Sequence, residues 1–206
     1  MHESRTWLAI DKPAGLLSVP GKGEHNQDCV ASRVRSRFPH ATGPITVHRL
    51  DMDTSGVILV GLTADSQREL SRQFECREVA KTYVALVEGL LSGDSGLIDL
   101  PIRPDLENRP YQVVDAALGR PSSTRWMVLA RETDRTRVRF EPLTGRAHQL
   151  RVHAAHPQGL NAPILGDVLY GGGEDSGPRL ALHAASLTFT DPDGRQPVTV
   201  TSRVPF

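Results

Sequence analysis

The 206-residue chain carries 24 cations and 24 acidic residues, for a formal net charge of zero, with 38% hydrophobic and 23% charged residues. That balance describes a soluble globular protein about one domain in size, and it excludes a chain drawn onto nucleic acid by overall charge. No apolar run approaches the roughly 20 residues of a membrane helix, and MHESRTWLAIDKPAG has no basic start followed by an apolar core, so the expected home is the cytoplasm.

Cys29 and Cys76 stand far apart and form no CxxC pair. The eight histidines come with no HExxH or H-x-E…PCxxC set, so no metal is expected. GxSxG, Walker A and GxGxxG are likewise absent from the sequence, which removes hydrolase-elbow, P-loop and dinucleotide readings. The only lysines are Lys12, Lys22 and Lys81, against 21 arginines. Arginine suits phosphate forks and base stacking, although composition bias explains the excess as well.

In chain order, TWLAIDKPAGLLSVPGKG (6–23) reads as a short strand followed by a Pro/Gly-rich loop. DCVASRVRSRF (28–38) predicts a helix capped by Asp28, with Val30, Val34 and Phe38 on one side and Arg33 and Arg37 on another. PITV (44–47) and GVILV (56–60) read as strands on either side of HRLDMDTSG (48–56). TADSQRELSRQF predicts a helix over about 64–76, capped by Thr63 or Asp65, with Leu70 and Phe74 as its apolar pair.

TYVALVEG (82–89) alternates as a strand, and residues 92–123 are irregular, with turns or short hairpins. WMVLARE and TRVRFEPLT predict a hairpin, and HQLRVHAAH (148–156) a helix stopped by Pro157. A loop through PILGDVLYGGG (163–173) leads to strands near 180–190 and 196–202. Strands outnumber helices and many connections are short. The expected fold class is therefore α+β, with a mixed, largely antiparallel central sheet and flanking helices.

Three stretches carry chemistry. In HRLDMDTSG, local composition by itself favours turn formation, because Asp, Ser and Thr bond their own backbone. Asp53, next to Thr54-Ser55-Gly56, fits that better than Asp51, which follows His48 and Arg49. In LTGRAHQLRVH (143–153), a helix starting near Gly145 with Thr144 as cap puts His148 and Arg151 on one face and Arg146 in the first turn. A cation there opposes the helix dipole, so an acidic partner elsewhere is expected, with a solvated helix face as the alternative. Tyr83 in KTYVALVEG shares a side with Ala85 and Val87, a weak signal taken alone. Asp94-Ser95-Gly96 and Asp175-Ser176-Gly177 follow no apolar strand and read as turns.

Together and in this order, HRLDMDTSG, KTYVALVEG and TGRAHQLRVH resemble the signature, tyrosine and arginine motifs of the RluA family of pseudouridine synthases. AIDKPAGLLSVPG (9–21), PILGDVLYGG (163–172) and RLALHA (179–184) extend the resemblance over nearly the whole chain. It implies the pseudouridine synthase fold with a catalytic cleft, and one catalytic domain over 1–206 with room for two lobes and no S4 domain. LLSVPG and LPIRPDLENRPYQ (100–112) are most similar to short members that act on large-subunit rRNA and the tRNA anticodon loop, a uridine 32 type site. Gly61 departs from the family's usual alanine, and AAHPQGLNA (154–162) is longer than the common form.

The resemblance implies Asp51 as nucleophile, Tyr83 against a flipped uracil, and Arg151 as the cation expected to pair with Asp51. His48, Arg49, Arg146, His148, Arg33 and Arg37 are the candidate RNA contacts. It implies no cofactor, because the isomerisation is redox-neutral, and RNA as partner; the expected form is a monomer. A non-catalytic RNA-binding module and a glycosidase-like hydrolase with a second carboxylate near Asp51 are the rival readings.

Overall fold

GVILV has no polar face to turn to water, so it belongs inside a sheet covered on both sides. In the computed structural model, which describes residues 2–171 and 177–206, it forms the middle of β3 (Ser55–Gly61), every residue of which is buried. The chain divides into two compact units, Met1–Lys81 with Ala184–Pro205, and Thr82–His183 with Phe206.

The first unit orders its strands β1 (His2–Glu3), β2 (Trp7–Lys12), β3, β10 (Leu182–Thr190), with β11 (Pro197–Thr201) on β10. β2 and β3 run antiparallel, with Trp7 opposite Gly61 and Lys12 opposite Gly56. β10 and β11 form the expected hairpin, with Phe189 opposite Val198. Leu70 of α2 (Ala64–Glu75) completes a core of Trp7, Ala9, Val57, Leu59, Leu187 and Phe189. Thr63 caps α2, accepting from the Ser66 N–H. Gly61 is explained here: a Cβ would lie 2.6 Å from the backbone of Gln67, so an alanine would collide with the first turn of α2.

Two expectations in this unit fail. PITV is no strand: only an isolated bridge joins Thr46 to Val60, and Ile45 adopts φ 64°. The run is apolar, but its backbone turns to bring Ile45 into the core, fully buried. α1 (Val30–Arg37) is capped by Cys29, whose sulfur accepts from the Ser32 N–H at 3.3 Å. Asp28 instead grips Arg33 through two contacts of 2.7 Å.

The second unit orders its strands β4 (Ala80–Glu88), β9 (Arg135–Pro142), β8 (Ser123–Arg131), β5 (Ser95–Asp99). β4–β9, β9–β8 and β8–β5 are antiparallel, with a bulge between Val128 and Ala130. β6 (Ile102–Pro104) and β7 (Gln112–Val114) make a separate two-stranded ribbon, a short hairpin within 92–123. Leu150 and Ala154 of α3 (Gln149–Ala155) pack with Ala85, Val87, Val138, Phe140 and Ile164.

Ser95 and Gly96 open β5 and pair with Met127 and Trp126, so Asp94-Ser95-Gly96 is a strand entry, because an edge partner was available that local composition does not show. Asp175-Ser176-Gly177 and the end of the PILGDVLYGGG loop fall partly outside the described residues. The architecture is mixed α+β with three α-helices and largely antiparallel pairing among the described residues, as the pattern of short connections implied. No helix among those residues is long and apolar enough to cross a membrane.

Candidate active site

In the first unit, HRLDMDTSG is a tight turn entering β3, with the Thr54 N–H donating to the Asp51 carbonyl at 3.2 Å. Its final glycine is dictated by packing. Gly56 has φ 110°, and a Cβ there would sit 2.3 Å from the Ala184 carbonyl oxygen, so no side chain fits. Thr54 and Ser55 are buried, whereas Asp51 is partly exposed, accessible to a ligand from solvent.

The turn is held from behind by residues 12–18. The Lys12 ammonium is fully buried and donates to the carbonyls of Pro13, Leu16 and Met52 at 3.0, 2.7 and 2.8 Å. Its three N–H bonds thus find three acceptors. The Gly15 N–H also donates to Met52 O, and Ser18 Oγ both donates to Leu50 O and accepts from the Leu50 N–H. Burial lowers the Lys12 ammonium to about 8, while the charges of Asp53 and then Asp51 act to raise it. Lys12 therefore fixes the backbone just after Asp51, as Ser18 fixes Leu50 just before it, and sets positive charge near the Asp51 carboxylate. Residue-by-residue reading missed this role; the signal was a lone lysine in AIDKPAG, in a chain that otherwise prefers arginine.

His48 and Arg49 have different environments. The His48 ring stacks on Phe74 at 4.2 Å, and its Nε2 accepts from the Leu59 N–H at 3.0 Å. Burial, with the nearby Lys81 charge second, pushes the imidazole down to about 3. His48 is thus a neutral ring pinning β3 to α2, while Arg49 is exposed. Arg33 and Arg37 are exposed on α1, the first paired with Asp28, the second over the Phe38 ring at 5.4 Å.

In the second unit, Tyr83 packs on the core beside Phe140, its cross-strand neighbour. The segment that supplies Arg146, His148 and Arg151 differs from expectation at its start. α3 begins at Gln149, with His148 as N-cap in the left-handed region (φ 51°), so Arg146 lies before the helix and no dipole conflict arises. The cause is Gln149, whose Oε1 accepts from the Arg146 N–H and from Thr144 Oγ1, and whose Nε2 donates to Ser123 O and Thr124 Oγ1. A buried glutamine thus ties the segment to β8 one turn later than the apolar pattern suggests. Arg146 Nε donates to Pro121 O at 3.2 Å.

His148 and Arg151 do share a face, and Tyr170 is what they meet. The His148 Nδ1 lies 2.8 Å from Tyr170 Oη, and the Arg151 guanidinium sits 5.3 Å from the Tyr170 ring centroid. The Gln112 N–H donates to the same hydroxyl at 2.8 Å. Arg151 is buried and forms a two-pronged ion pair with Asp167, Nε to Oδ2 at 2.9 Å and Nη2 to Oδ1 at 2.6 Å. Asp167 is a partner that sequence reasoning did not name; its signal was the aspartate of PILGD. Asp51 thus belongs to the first unit, and Tyr83 and Arg151 to the second. No cluster of three or more His, Cys, Asp or Glu suited to a metal occurs among the described residues.

The family model described as RNA pseudouridylate synthase matches residues 6–156. The dual-specificity RNA pseudouridine synthase RluA of Yersinia pestis is 46% identical over 201 residues, covering 96% of this chain and 95% of its own. The protein of that name from Escherichia coli K12 is 48% identical over 188 residues, covering 90% and 83%. Among solved structures, human RNA pseudouridylate synthase domain containing 1 superposes with a TM-score of 0.80 at 31% identity, covering all of this chain and 82% of that one.

Proposed function

The chain belongs to the RNA pseudouridylate synthase family and is an isomerase, and from that premise we propose that it converts uridine to pseudouridine in large-subunit rRNA, the tRNA anticodon loop, or both. Its relatives are dual-specificity RNA pseudouridine synthases, which supports a range of more than one RNA.

The reaction breaks the C1′–N1 bond, turns the base, bonds C1′ to C5, and moves a proton from C5 to N1. A stacked uridine must first leave its helix, which costs a few kcal/mol. Asp51 is the nucleophile that assists cleavage of the glycosidic bond, a role suited to a carboxylate. Its partial exposure in a turn braced by Lys12 is the observation that carries this reading. Tyr83 supports the extruded uracil and takes part in proton movement, and Arg151 supplies positive charge for the same step. Arg49 fills the place vacated by the base, in preference to His48, whose ring is occupied by Phe74 and Leu59. Arg146, His148, Arg33 and Arg37 contribute RNA contacts.

The test is Asp51→Asn. The variant should bind substrate RNA like the wild type and form no pseudouridine in a single-turnover tritium-release assay; product at the wild-type rate refutes the role of Asp51. Mapping pseudouridine in rRNA and tRNA from a deletion strain identifies the substrate.

A further inference from the structure

Arginine is a flexible side chain whose charge is fixed but whose direction is not. Where a guanidinium has to present one edge to a reacting group, something must hold the other edge. In the second unit that requirement is met within the protein. Asp167 is completely buried, and its carboxylate accepts from Arg151 Nε at 2.9 Å and Nη2 at 2.6 Å. The carboxylate is itself oriented, since Oδ1 also accepts from the Leu169 and Tyr170 N–H groups at 3.0 and 3.1 Å. The Tyr170 ring then covers the guanidinium at 5.3 Å. Its hydroxyl is tied to His148 Nδ1 and the Gln112 N–H, each at 2.8 Å.

We propose that Asp167 is a positioning residue for catalysis: by clamping the Nε and Nη2 edge of Arg151 it fixes the direction in which the guanidinium presents its charge to the catalytic step. This rests on the assignment of Arg151 to the catalytic step. Asp167 touches no substrate and acts through Arg151 alone. The PILGD aspartate thereby acquires a function beyond shaping its loop.

Asp167→Asn separates the two roles. An asparagine oxygen still accepts from Leu169, Tyr170 and Nη2, so the loop keeps its bonds, but the amide N–H₂ then confronts Nε–H and the second prong is lost. The expected result is at least a tenfold fall in single-turnover rate on prebound RNA, with RNA affinity within threefold and the melting temperature within a few degrees of wild type. A wild-type rate in the folded variant, or a rate loss matched by lost RNA affinity, overturns the proposal.

If Asp167→Asn does not fold, the wild-type enzyme still decides through the ¹⁵N resonances of Arg151, assigned by comparison with Arg151→Lys. Slow rotation about Nε–Cζ is expected, and rotation as fast as in exposed arginines overturns the clamp. Asp51→Asn runs alongside as the control for the underlying reading. Activity in Asp51→Asn defeats that reading, whereas an inactive Asp51→Asn beside a fully active Asp167→Asn defeats this inference only.

Discussion

Lys12 Nζ lies 2.8 Å from the carbonyl oxygen of Met52, the residue that follows Asp51. Through that bond, and those to Pro13 and Leu16, a buried ammonium joins the loop after β2 to the turn before β3. Replacement by methionine fills the volume but leaves the carbonyls without their donor, at about 1–3 kcal/mol for each that stays buried. Lys12→Met should therefore lose stability on denaturant titration, and its folded fraction should turn over more slowly at unchanged RNA affinity. A folded fraction with wild-type turnover would show that the brace does not serve Asp51.

His48 should make the protein acid-sensitive. Its imidazole is pushed down to about 3 from an ordinary 6.5, so between those values the unfolded chain takes a proton that the folded one refuses. Stability from this group is complete above pH 6.5 and falls as pH drops toward 3, by up to about 1.4 kcal/mol per pH unit. In His48→Gln the acceptor for Leu59 is kept and the titration is gone. Denaturation midpoints measured from pH 7.5 to 4 should decline more steeply for wild type; parallel curves would contradict the assignment.

Gly56→Ala should be among the most damaging single-methyl changes in the first unit. The new Cβ meets Ala184 O at 2.3 Å, and φ 110° is a region that costs an L-residue about 1–3 kcal/mol. Circular dichroism melting should show a drop of many degrees, and a shift within experimental error would mean that β10 can move away without cost.

Tyr83→Phe keeps the ring that packs beside Phe140 and deletes the hydroxyl. RNA affinity should be unchanged while conversion falls about 10²-fold, the usual size of a lost proton-transfer group. Full activity excludes the phenol from proton movement and leaves only stacking.

With zero net charge, RNA affinity has to come from local arginines. Arg49→Ala and Arg146→Ala should each weaken binding across sequences and reduce the slope of log affinity against log salt by about 1. A wild-type slope near zero would dismiss phosphate-led binding altogether.

Much of this molecule could be read along the chain because the responsible forces act over a few residues. The all-apolar GVILV declares a strand covered on both faces, the Thr63 hydroxyl declares the start of α2, and three short motifs in fixed order declare the family. What lay beyond local reading involved partners far away in sequence. PITV has the composition of a strand but forms only a bridge, because burial of Ile45 outweighs local preference. Asp28 looks like a helix cap and binds Arg33. Gln149 delays α3 by bonding to Thr124 and Ser123 on β8. His48, grouped by sequence with Arg49, turns inward onto Phe74, and Lys12 and Asp167 become supports only when the chain returns to Met52 and Arg151. Side-chain chemistry and short-range periodicity are properties of the sequence. The direction a polar group faces, and the buried acceptor that satisfies it, are decided by tertiary packing, because an unpaired polar group inside a protein is too costly to leave unmatched.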